Sequence, residues 1–169
     1  MDHTERPKPK RDLSGVEALL REYPLDSMPV DDRPYGALAR LYAVAGQPDA
    51  AQRYLALDQQ FQPRDWATPQ GQSRFLEGQV YESQGKLPEA LEAYRDAGRL
   101  VSTLLCRQCA DFYVGRVLDR MDQPDSALAA YERAANAKGL GSNTGPDVAP
   151  TLRRMGELYE ARGDREKAK

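Results

Sequence analysis

The chain is 169 residues long, 40% hydrophobic and 30% charged, enough for one ordinary domain whose scarce apolar residues must serve as stripes on otherwise polar helices. With 24 basic residues against 26 acidic ones and a formal net charge of −2, no global field draws it to nucleic acid or to an anionic membrane. No apolar run approaches the roughly 20 residues that cross a bilayer, and none follows the charged start, so neither a membrane span nor a secretion signal is expected and the cytoplasm is the default compartment.

Residues 1–12 read as a flexible leader, with the run from Arg6 to Arg11 suiting a solvated tail better than a targeting signal. A single helical repeat domain is expected over 13–169. It opens on a short helix, roughly Gly15 to Tyr23: Ser14 and Glu17 make an S-x-x-E capping box, followed by an apolar stripe of Val16, Leu19, Leu20 and Tyr23.

From there one phrase recurs: a small residue, an aromatic three later, a turn residue four after that, and an alanine five further on. Its copies are Ala39, Tyr42, Gly46, Ala51; Gly78, Tyr81, Gly85, Ala90; Gly115, Leu118, Asp122, Ala127; and Gly156, Tyr159, Gly163, Ala168. Two antiparallel helices approach closely only where side chains are small, which assigns the first residue of each phrase to the contact between a first and a second helix. The alanines face them from the second helix, and Leu55, Tyr94 and Tyr131, one turn later, fill the space between repeats. The three glycines end a first helix in the left-handed region, with Asp122 less comfortable in that role. Pro48, Pro88 and Pro124 mark the starts of second helices, as Pro34 and Pro150 do for two first helices. Helix pairs are therefore expected at about 34–59, 72–100, 108–137 and 149–169, the last of them truncated.

These residues match the tetratricopeptide signature, and Gly85 to Ala97 and Gln123 to Ala134 resemble second helices of that family, down to its late alanine at Ala97 and Ala134. The resemblance covers about Pro34 to Lys169. It implies an all-α solenoid of antiparallel helix pairs, wound as a right-handed superhelix, with a concave groove lined by the first helices. The copies depart from the family in spacing: the aromatic position recurs at 42, 81, 118 and 159, intervals wider than the usual period of about 34. Glu77 stands where an apolar residue is usual, and Leu118 replaces the aromatic. Such loose copies resemble the repeat regions of bacterial signalling and regulatory proteins.

By that resemblance the groove-facing positions are Arg33, Gly36 and Arg40; Gln72, Phe75, Gln79 and Glu82; Phe112, Arg116 and Asp119; and Arg153, Glu157 and Glu160. The function implied is a scaffold or adaptor that binds a peptide or partner domain, since arginine pairs with carboxylates and aromatic rings supply contact area. An acidic peptide suits this lining; a chaperone-type carboxylate clamp does not, because none of these residues is asparagine. The plainer alternative makes them solvated helix faces and inter-repeat packing. Self-association through the open fourth pair is a further possibility.

Cys106 and Cys109 are the one constellation with chemistry of its own, near the start of the third first helix. They read as buried structural thiols, as a redox pair, or as part of a metal site shared between chains. A thiol-based redox or metal sensor is accordingly the alternative function. Otherwise no phosphate loop, nucleophile elbow or HExxH is present, so no enzyme activity, cofactor or resident metal is expected. Trp66 reads as a plug between the first two repeats, or else as an exposed anchor.

Overall fold

The computed structural model of the protein describes residues 11–61, 67–100, 104–136 and 148–168, with the backbone alone described at 67–69, 104–109 and 148. Among the described residues there are α-helices and no strand: α1 (Ser14–Glu22), α2 (Tyr35–Val44), α3 (Pro48–Phe61), α4 (Ala67–Ser83), α5 (Leu87–Leu100), α6 (Leu104–Arg120), α7 (Pro124–Asn136) and α8 (Val148–Ala161). Two 3₁₀ turns, Leu25–Ser27 and Val30–Asp32, carry the chain from α1 to α2.

The recurring phrase is the junction of a first helix with a second one. Its turn residue has φ of 72° at Gly46, 74° at Gly85, 58° at Asp122 and 80° at Gly163. After Gly85, Lys86 N–H donates to the Tyr81 carbonyl at 2.9 Å, while Gly85 N–H donates to that of Glu82 at 3.1 Å. Gln47 to Tyr42, Gln123 to Leu118 and Asp164 to Tyr159 repeat the longer closure. This is the Schellman arrangement, which satisfies the last carbonyls of a helix and requires a left-handed residue four positions after the acceptor. The carbonyl of that same donor residue then receives the amide of Ala51, Ala90 or Ala127, opening the next helix, and at the fourth junction that of Ala168, opening a turn. One residue thus ends a helix and caps its successor, which fixes the spacing of nine between aromatic and alanine. At the fourth junction Asp164 also caps with its side chain, Oδ1 accepting from Lys167 N–H at 3.2 Å. Pro48 and Pro124 are the first residues of α3 and α7, where a missing N–H is harmless.

The N-terminal helix starts differently from the sequence expectation. The capping box is not formed: Leu13 stands at the N-cap without a side-chain bond, and the Asp12 carboxylate accepts the Ser14 amide at 2.9 Å instead. That bond holds the Asp12 pKa below its ordinary value. The first helices α4 and α6 also begin at Ala67 and Leu104, ahead of the expected 72 and 108, each gaining about one leading turn.

Packing follows the helix pairs. One cluster joins Tyr35, Leu38, Ala39, Tyr42, Ala51, Tyr54 and Leu55 to Leu76 and Val80 of α4. A second runs from Ala90 and Tyr94 through Tyr113, Val117 and Leu128 to Tyr131, Leu158 and Tyr159. The helix α4 belongs to both, turning Leu76 and Val80 to the first cluster and Phe75 and Tyr81 to the second. Burying a side chain as large as Tyr94 contributes about 2–3 kcal/mol, which is why so few apolar residues suffice.

Candidate functional site

Helices α2, α4, α6 and α8 are the first members of their pairs, and the residue after each phrase's small residue occupies an equivalent place on each: Arg40, Gln79, Arg116 and Glu157. Arg40 is exposed, and no described residue forms an ion pair with it. Gln79 is only 8% exposed. Arg116 is half-buried, its guanidinium 4.3 Å above the Tyr113 ring and 5.8 Å from that of Phe112. Glu157 is exposed and accepts from Arg154 at 2.7 Å.

Around this row an ion-pair ladder links successive first helices. Glu82 on α4 receives Arg116 at 2.5 Å and Arg120 at 3.0 Å from α6, and Tyr94 O–H donates to the same carboxylate at 2.9 Å. Asp119 on α6 receives Arg154 of α8 through two bonds, at 2.6 and 2.8 Å. That bidentate bond raises the Arg154 pKa above its ordinary value. For Arg116 burial disfavours the charge, yet the attraction of Glu82 outweighs it and the pKa is raised. A second group ties pairs together from behind: Arg74 bonds Glu77 and Asp96, Arg99 bonds Asp96, and Gln59 of α3 donates to Glu77 at 2.6 Å. This accounts for Glu77 at a position the family keeps apolar: its side chain is nearly buried, and satisfied from two helices.

The groove positions expected from sequence thus divide. Arg40, Gln72, Arg153 and Glu157 are exposed as expected of a binding face. Arg153 stands 3.8 Å from Glu157. Phe112 and Gln79 are each only 8% exposed; the Phe112 ring lies against Tyr131 of α7, the second helix of its own pair, with centroids 6.1 Å apart. Phe75 is half-buried with its ring edge-on to Tyr113, the centroids 4.8 Å apart. Arg33 holds its own approach to α2, bonding the Met28 and Asp26 carbonyls and the Tyr35 hydroxyl. Arg120 and Arg154, not singled out from sequence, complete the ladder. Their signal was faint but present, since Glu82 and Arg116, like Asp119 and Arg154, are about one repeat apart.

The side chains of Cys106 and Cys109 lie outside the described residues, although the backbone there is already helical within α6. Trp66 and residues 1–10 are likewise outside them. Among the described residues no group of three or more His, Cys, Asp or Glu could hold a metal ion, and no helix is long and apolar enough to cross a membrane.

No protein-family model matches the chain, and no curated protein matches its sequence. Solved structures do, among them that of MamA, a protein of tetratricopeptide-like fold, at 22% identity over 92% of this chain and 79% of that one, with a TM-score of 0.59. The chain is an all-helical solenoid of the tetratricopeptide type. A likeness at this identity speaks for the fold alone.

Proposed function

We propose that this protein is an interaction scaffold that holds a segment of a partner protein against the face built by α2, α4, α6 and α8, as part of a larger bacterial regulatory assembly, and that it catalyses nothing itself. The observation that carries this reading is the row at Arg40, Arg116 and Glu157. Repeat-equivalent positions on three of the four first helices keep polar side chains at least partly exposed, with Gln79 of α4 the buried one of the row. A face of that kind supplies hydrogen-bonding groups on a rigid frame, which lowers the ordering cost of binding an extended chain.

Site-specific photocrosslinking tests it. A benzophenone side chain at exposed Gln72 on α4 should give protein adducts in cells, whereas the same group at exposed Arg95 on α5 should give few. Equal labelling at both positions would move the interface off the first helices.

A further inference from the structure

In the first three helix pairs the position four residues before the small residue meets the second helix of the pair. Tyr35 stacks on Phe61 of α3 with centroids 5.8 Å apart, Arg74 bonds Asp96 of α5, and Asp111 accepts from Arg133 of α7 at 2.9 Å. That helix also covers the small residue itself. Ala39 shares a buried cluster with Leu55, and the rings of Tyr94 and Tyr131 lie across Gly78 and Gly115, 2.6 Å from where a β-carbon would stand. On α8 the equivalent residues, Leu152 and Gly156, have no such cover among the described residues. Leu152 is 55% exposed, and a β-carbon on Gly156 would meet only the Ala168 carbonyl, at 3.4 Å. Thr151 and Leu158 are buried, so one flank anchors α8 while Leu152 and Gly156 mark another. The described residues after α8 form a turn at 165–168, in which Ala168 holds the place of Ala90 and Ala127.

We infer that this flank docks a helix of another protein, lying against α8 as α5 lies against α4, with a tyrosine over Gly156 and an apolar residue two positions later against Leu152. The spacing comes from the middle pairs, where Asp96 and Arg133 each follow the covering tyrosine by two residues. The apolar choice comes from Leu152, which has nothing to offer a buried polar group, whereas Arg74 and Asp111 each pair with an opposite charge. A flat ring fits a bare glycine because a smaller side chain would leave a void there. A second copy of this chain does not meet these terms. Its Tyr94 and Tyr131 are buried in their own pairs, and exposed Tyr23 follows the last residue of α1 and precedes Pro24, so the α-helix does not continue beyond it. A single helix on one flank buries less than the roughly 1,200 Å² of a lasting interface, so the contact is reversible. This surface is additional to the inner face of the scaffold reading and does not depend on it.

The test uses the whole chain, isotope-labelled, and a peptide with the sequence of α5 from Leu91 to Leu100 carrying Asp96→Leu. The peptide is stapled between its positions 95 and 99, because so short a helix does not hold itself in water. Titration should shift the amides of Leu152 and Gly156 and leave those of α2 in place. A peptide that also carries Tyr94→Ala should bind about tenfold more weakly, since the ring supplies much of the buried apolar area. Gly156→Leu fills the space meant for that ring and should weaken the tyrosine peptide by a similar factor, its helix content checked by circular dichroism. Leu152→Asp should lose the Asp96→Leu peptide and gain one with Asp96→Arg, reproducing the pairing of Asp111 with Arg133. No shift at Leu152 and Gly156, equal binding of the tyrosine and alanine peptides, or undiminished binding by Gly156→Leu overturns the inference. Movement of the same amides on dilution of the chain alone also overturns it, since a second copy would then occupy the flank.

Discussion

The ring of Tyr94 lies across Gly78 so closely that a β-carbon on residue 78 would stand 2.6 Å from two of its ring atoms. Tyr131 covers Gly115 in the same way, at 2.6 and 2.7 Å. In the first pair the equivalent positions hold Ala39 and Leu55, both fully buried in one cluster. Glycine goes with tyrosine and alanine with leucine, so the two positions divide one volume between them. Tyr94 is wholly buried, and its hydroxyl is tied to Glu82, so it cannot retreat without breaking that bond.

Gly78→Ala should consequently destabilise the protein by about 1–2 kcal/mol in urea denaturation, the overpacking cost exceeding the gain in helix propensity. Gly78→Ala combined with Tyr94→Leu, which reproduces the pairing of the first repeat, should cost less than the sum of the single changes by about 1 kcal/mol or more. Additive effects would show that the ring does not enforce the glycine.

Asp122 is the one described residue other than glycine with a positive φ. It closes the same turn as Gly46, Gly85 and Gly163, and pays the steric cost of a β-carbon in the left-handed region. Asp122→Gly should stabilise by about 0.5 kcal/mol after allowance for the freer unfolded chain. The opposite change, Gly85→Ala, should destabilise by about 1 kcal/mol, and that cost is one of backbone alone, since no neighbouring atom lies within 4 Å of the added carbon. A thermal shift of the same sign in both variants would refute this account of the turn.

These turns were legible in the sequence because everything that makes them is local: acceptor, left-handed residue and following cap fall within ten residues. The close approach of the small residues to their fillers was legible for a related reason, as a repeated pairing within one helix pair. The starts of α4 and α6 were not, because Gln70 to Gln72 and Leu104 to Gln108 carry no helix-stop or cap signal that separates a leading turn from a linker. Burial of Phe112 was missed because it depends on Tyr131 of the other helix in its pair, a contact the recurring phrase does not mark. The ion-pair ladder was missed because it depends on how one pair stacks on the next, which the internal pattern of a single repeat does not encode. The Ser14 and Glu17 pattern misled in the other direction: Asp12, two residues ahead, competes for the same amide and wins it.

Glu82 is the node of that ladder. Its side chain is 11% exposed and accepts from Tyr94, Arg116 and Arg120. Glu82→Gln keeps the shape but leaves the Arg116 guanidinium, half-buried above the Tyr113 ring, without its counter-charge. A loss of about 2 kcal/mol is expected, less than for a fully buried pair because water still reaches part of the site. The exposed pair of Arg162 and Asp125, 3.6 Å apart, supplies the contrast: Asp125→Asn should change stability by less than about 0.5 kcal/mol. Similar losses in the two variants would mean that Glu82 is only another surface charge.

The tyrosines beneath the ladder predict how the protein meets alkali. Burial raises the Tyr131 pKa and the nearby Asp119 charge raises it further; burial and then Glu82 do the same to Tyr94. Both therefore stay protonated in the fold at a pH where an unfolded tyrosine, with a pKa near 10, has lost its proton. Their contribution is complete below about pH 10 and is lost as pH climbs from there through the folded-state values. Tyrosinate absorbance should thus appear in two stages, exposed residues first and the buried pair only as the helical signal collapses. Removing one such group should flatten the decline: above pH 10, stability of Tyr131→Phe should fall less steeply than that of the parent by up to about 1.4 kcal/mol per pH unit. Parallel slopes for the two proteins would show that Tyr131 ionises as readily inside the fold as outside it, and that the ring is less enclosed than its packing against Gly115 requires.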